Sequence, residues 1–103
     1  MKGTMKASKE LYFFLDVREE EEFIKDFVPG SLNMPIRKVL CVGYGFSNGF
    51  WESMIPKNKF LVLYCATGHR AKIAEQALLQ RDYKTRNVHT LEEAKKFYNT
   101  ITN

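Results

Sequence analysis

Few side chains in this sequence could act as nucleophiles, and one stands where its reactivity would be enhanced. Cys65 closes the run Phe60-Leu61-Val62-Leu63-Tyr64 and is followed by Ala66, Thr67, Gly68, His69, Arg70 and Ala71. A strand that stops at a cysteine, a short loop with a glycine and a helix opening at Arg70 would place a thiol against a helix N-terminus. The N–H groups of Ala66 to Ala71 have no carbonyl partner there and can converge on an anion. The helix dipole and the Arg70 guanidinium act in the same direction, favouring thiolate over thiol. Gly68 supplies the positive φ that lets such a loop curl around a sulfur. Cysteine ending an apolar run is otherwise a small core hydrophobe. The glycine, the arginine and the helix that follow favour the reactive reading. Cys41, Cys65, His69 and His89 are the only cysteine and histidine residues, at spacings unlike a zinc site, so no metal is expected.

The surrounding pattern must position this turn. Leu11 to Val17 is an apolar run broken only by Asp16, as in a strand buried on both faces of a parallel sheet. Asp16 then lies at a strand's C-terminal end, where it would either line an active-site rim or fix a loop by accepting from backbone N–H groups or Arg18. The second reading is preferred, because buried polar groups are hydrogen-bonded. Arg18 to Phe27 reads as a short helix with acidic first turns, and Phe23 and Phe27 as its core face. Val28 to Ser31 is a turn, Leu32 to Met34 a short strand closed by Pro35, and Ile36 to Val42 a helix. Gly43 to Trp51 mixes three glycines with aromatic residues, as a substrate-facing loop or an aromatic cap would. Beyond Cys65, Ile73, Ala74, Ala77 and Leu78 form one apolar stripe; Arg86 to Thr90 alternates like a strand. Thr90 with Glu93 resembles a capping box opening a last helix to about Thr100. Strands and helices in alternation predict an α/β domain, a central parallel sheet of about four to five strands with helices on both faces.

Composition narrows the classes. The chain has 103 residues, one domain's worth, with residues 1–10 expected as a flexible lead-in. No run approaches the roughly 18 apolar residues that span a bilayer, and no signal peptide is legible, so a cytoplasmic protein with no membrane partner is expected. The net charge is +4, but lysines and arginines are scattered and not striped, so no nucleic-acid partner is expected. Cys41, flanked by Val39, Leu40 and Val42, reads as buried and inert; resolving a Cys65 persulfide or pairing with Cys65 are its alternatives.

Two motifs carry a family resemblance. Leu15-Asp16-Val17-Arg18 with Glu22-Phe23, followed by Pro29-Gly30-Ser31-Leu32-Asn33-Met34-Pro35, resembles the opening of the rhodanese-like domains. Val62 to Ala71 resembles the cysteine loop of that family's single-domain sulfurtransferases of the thiosulfate type. The resemblance covers residues 11 to 90 and implies the rhodanese-like fold. Cysteine to arginine spans six residues, as in sulfurtransferase members; related phosphatases and arsenate reductases carry a loop one residue longer. A tighter ring of N–H donors suits a single sulfur and a wider one a tetrahedral oxyanion. The chain departs from the pattern at Asp26-Phe27-Val28, where the family has Gly-His-Ile. It departs again at Glu92-Glu93, where a double glycine is usual, and in lacking a tryptophan near its end.

The resemblance implies sulfur transfer in two steps without metal or cofactor. Cys65 attacks the outer sulfur of a small donor such as thiosulfate, and the resulting persulfide passes its sulfur to cyanide or a thiol. Ala66, Thr67, Gly68, His69, Arg70 and Ala71 would bind the donor and the persulfide. Arg70 either attracts the anionic donor or fixes the loop through Asp16 or backbone carbonyls. The alternative from another class is a binding module that carries the persulfide to one acceptor protein, with Phe46, Phe50 and Trp51 as contacts.

Overall fold

The computed structural model describes residues 9–102. The first eight residues of the expected lead-in lie outside the described residues. Four strands, β1 (Tyr12–Asp16), β2 (Leu32–Asn33), β3 (Phe60–Cys65) and β4 (Lys84–Thr90), form one parallel sheet in the order β2-β1-β3-β4. The helices are α1 (Glu20–Phe23), α2 (Ile36–Gly43), α3 (His69–Leu79) and α4 (Leu91–Thr102), with one 3₁₀ turn at Glu52–Met54. Among the described residues no helix is long and apolar enough to cross a membrane.

The sheet is covered on both faces, which is why β3 reads as an unbroken apolar run. Side chains alternate along a strand. Leu61, Leu63 and Cys65 therefore join Leu15, Val39, Val42, Ala71, Ala74 and Leu78 beneath α2 and α3. Val62 and Tyr64 point the other way, to Phe14, Ala94 and Ile101 beneath α4. Small residues let α2 and α3 pack closely: a Cβ on Gly43 would stand 2.6 Å from that of Ala77. On α4's side the contact is aromatic, with Phe97 edge-on to Tyr12 and Tyr98 edge-on to Phe14.

Several expectations change. The helix expected over 18–27 is a single turn, Glu20–Phe23, after which Lys25 and Asp26 bond three residues back. Arg18 Nη2 donates to the Asp26 carbonyl at 2.6 Å in the turn that follows, and Pro29, which has no N–H to give and restricts Val28, bars a longer helix. Phe23 and Phe27 do not enter the core; their rings stack on each other at 4.6 Å, and Phe27 is exposed. Cys41 is free but only half-buried, on the flank of α2 between the buried Val39 and Val42. In the glycine-aromatic segment, Tyr44, Phe46 and Phe50 are exposed, whereas Trp51 packs on the core with Lys38 Nζ 4.2 Å from its ring. Strand β4 begins two residues earlier than expected, and Glu93 N donates to Thr90 Oγ1 at 3.1 Å where α4 opens.

Candidate active site

Cys65 is the last residue of β3 and is fully buried. The chain turns at Gly68, whose φ of 98° is left-handed, and α3 begins at His69. This turn aims two orphan amides of the helix opening at the sulfur: Gly68 N donates to Sγ at 3.0 Å and Ala71 N at 3.4 Å. The six amides expected to converge thus resolve into two that bond the sulfur. On its other side Cys65 Sγ donates to the His89 carbonyl of β4 at 3.5 Å. Ala66, Thr67 and His69 are exposed around the loop, and Gly68 and Arg70 half-buried.

The turn cannot readily accept a side chain at its glycine. Left-handed backbone costs an L-residue about 1–2 kcal/mol, and a Cβ on Gly68 would lie 3.3 Å from His89 Cβ. Gly68→Ala is therefore expected to lower the melting temperature and slow reaction at Cys65, as calorimetry and timed thiol alkylation would show.

Arg70 is held by a partner that neither alternative for it named. Its Nη1 and Nη2 donate to Glu22 Oε1 and Oε2 at 2.7 and 3.0 Å, a bidentate pair linking α3 to α1. Asp16 and backbone carbonyls are replaced in that role by Glu22, because Arg18 already occupies Asp16. The Arg70 hydrogen bonds, opposed by partial burial, hold the Glu22 carboxyl down at about 2, against an ordinary 4.5. A depressed carboxyl stabilises the fold above its unfolded value and loses that contribution as pH falls through its folded one. Glu22 is about a third exposed, so screening holds its contribution to about 1 kcal/mol or less. Wild type should exceed Glu22→Gln in stability at pH 7, and acid melts should show the gap closing between about pH 4.5 and 2.

Asp16 and Arg18 form a buried ion pair at the C-terminal end of β1, where Asp16 is in register with Tyr64 of β3. The Asp16 carboxylate accepts from Arg18 N at 2.9 Å, from Nε at 3.0 and 3.1 Å, and from Nη2 at 2.6 Å. Its main hydrogen-bonding partner keeps the Arg18 guanidinium above its usual value. Asn33 Nδ2 ties the same segment to β2 through the Asp16 and Arg18 carbonyls. The sequence pattern gave Tyr64 no role beyond its strand and raised His89 only as a zinc ligand at an unsuitable spacing. Tyr64 is fully buried, with its hydroxyl 2.8 Å from Ser31 Oγ and accepting from Val28 N at 3.2 Å; burial pushes it up to about 12. A tyrosine inside an apolar run was the available signal, since its hydroxyl must find partners.

Fold and site together define a parallel α/β domain carrying a loop-cradled cysteine at the C-terminal edge of its sheet. The rhodanese-like domain model matches residues 2–97, and the chain belongs to that family. A Schizosaccharomyces pombe protein, provisionally named a mitochondrial thiosulfate sulfurtransferase, is 30% identical over 80 residues, covering 68% of this chain and 52% of the relative. The chain thus spans about half the length of the curated relative it matches. Among solved structures, a human single-domain sulfurtransferase matches with a TM-score of 0.62 at 23% identity, over 84% of this chain and 81% of that one. A Saccharomyces cerevisiae single-domain sulfurtransferase matches with a TM-score of 0.63 at 22% identity, over 99% and 89%. An Escherichia coli rhodanese with anions gives 0.64 at 23%, over 80% and 89%. These structures share the fold.

Proposed function

We propose that this chain is a sulfurtransferase that carries a sulfane sulfur on Cys65, acting as one rhodanese-like domain. The observation that supports this most is the pair of amides, Gly68 N and Ala71 N, bonded to a cysteine sulfur at a helix N-terminus. In the first step the Cys65 sulfur attacks the outer sulfur of thiosulfate, and the S–S bond of the donor breaks. The cysteine proton leaves on the sulfite, so that thiol and thiosulfate become persulfide anion and hydrogen sulfite. In the second step cyanide takes the terminal sulfur as thiocyanate and leaves Cys65 as thiolate; a thiol acceptor would leave as a persulfide. The amides that receive the cysteine sulfur offset the negative charge at both stages. Ala66, Thr67, Gly68, His69, Arg70 and Ala71 are proposed to line the donor's approach, and Asp16 with Arg18 to help fix the loop. Mass spectrometry after thiosulfate treatment should find one added sulfur atom, removed by cyanide. An unchanged mass would refute the proposal.

A second reading is favoured by the exposure of Tyr44, Phe46 and Phe50 on one segment: delivery of the persulfide to one partner protein. It differs in outcome, since Cys65 would load sulfur yet turn over thiosulfate and cyanide slowly. Cytoplasmic residence is proposed alongside; the S. pombe relative is named for the mitochondrion, and cell fractionation decides between the two.

A further inference from the structure

His89 holds a backbone conformation that L-residues avoid, and it does so beside the reactive sulfur. Its φ is 75°. The strand pairing shows how this arises: Leu63 faces Asn87 and Tyr64 faces His89, so Val88 is an extra residue in β4, and the ladder resumes with Cys65 opposite Thr90. Such bulges bend a strand and re-aim its groups. The Asn87 side chain steadies this one by accepting from His89 N at 2.9 Å. Two contacts follow. The His89 carbonyl receives the Cys65 thiol at 3.5 Å, and the His89 side chain lies against Gly68, 3.3 Å from Cβ and 3.8 Å from Nδ1 to where a Cβ at position 68 would stand.

We propose that His89 is a positioning residue for Cys65: its left-handed backbone turns a carbonyl onto the sulfur and holds the resting cysteine as a hydrogen-bond-donating thiol. The two loop amides favour the anionic sulfur, and this carbonyl opposes them. A carrier balanced in this way does not over-stabilise the sulfur it must give away. The role lies in the backbone and not in the imidazole. Residues able to adopt positive φ should therefore preserve it, and residues unable to do so should lose it. This serves the sulfur chemistry proposed above, but its test reads thiol reactivity without any sulfur donor.

The test uses a Cys41→Ser background, so that Cys65 is the remaining thiol, and follows iodoacetamide alkylation from pH 6 to pH 10. The other charged and titratable groups around the loop, Arg70 with Glu22 and Glu19, and His69 at the start of α3, are the same in every variant; the His89 imidazole is absent from all of them, so the asparagine and glycine variants control for its loss. His89→Asn and His89→Gly should retain the parent rate profile. His89→Val, which must leave the left-handed region, should react about two- to fivefold faster at the acidic end, the scale of one weak S–H···O bond. The difference should vanish at the alkaline end, where no S–H remains to donate. His89→Ala serves if the valine variant does not fold. Identical profiles for the valine (or alanine) and asparagine variants would overturn the proposal. So would equal acceleration in all of them, which would assign the effect to the ring.

Discussion

Cys65→Ser is expected to abolish persulfide loading and lower thiosulfate-to-cyanide turnover by at least ~10³-fold. Serine fits the site, since it replaces sulfur by a smaller oxygen at a buried position where Gly68 N and Ala71 N can still donate. What it lacks is the reactivity. An alcohol stays protonated where a thiol ionises, and oxygen attacks sulfane sulfur poorly. The variant should therefore fold like the parent and carry no added sulfur by mass spectrometry. Undiminished turnover would remove Cys65 from the reaction and leave the half-buried Cys41 to be tested in the same way.

The largest stability effect is expected at Asp16. Its side chain is fully inaccessible and that of Arg18 is 7% exposed, so the pair sits in a medium that supports charge only through mutual bonding. Asp16→Ala would strand a guanidinium left with the Asp26 carbonyl as a hydrogen-bond partner and the Tyr64 ring 5.8 Å away. Breaking a buried pair by removing one member costs about 3–5 kcal/mol, and the melting temperature should fall by on the order of 15 °C or more. Replacing both residues by apolar ones of similar volume should cost much less than Asp16→Ala alone, because the desolvation of two charges is recovered together. A thermal-melt comparison of the single and double variants reads this directly. Equal losses would mean that the pair depends on its hydrogen bonds to backbone, and not on avoiding an unpaired charge. The same bonds hold the Asp16 to Arg18 segment against Tyr64, whose carbonyl accepts from Val17 N at 3.1 Å one residue before the cysteine. Loss of the pair is therefore expected to slow sulfur loading as well, which the mass assay would report.

The legible features and the hidden ones divide by range along the chain. The end of the third strand at Cys65, the glycine turn and the helix behind it could all be read in advance. Each follows from interactions within a few residues: alternation along a strand, positive φ at glycine, unpaired amides where a helix begins. Asp16 and Arg18 are two residues apart, so their bond was also within reach. The first helix is shorter than its acidic run suggests: Arg18 turns back to Asp16 and across to the Asp26 carbonyl, contacts outside any helical period.

By itself, then, the sequence determined that a cysteine would end a buried parallel strand and face a helix N-terminus. Only the tertiary structure decided what else surrounds that sulfur. Glu22 meets Arg70 across 48 residues, Ser31 meets Tyr64 across 33, and the His89 carbonyl meets Cys65 across 24. These partners are set by the strand order β2-β1-β3-β4 and by a one-residue bulge in β4. Order and register arise from how the two apolar faces close against their helices, a property of the packed sheet that no local run of residues contains.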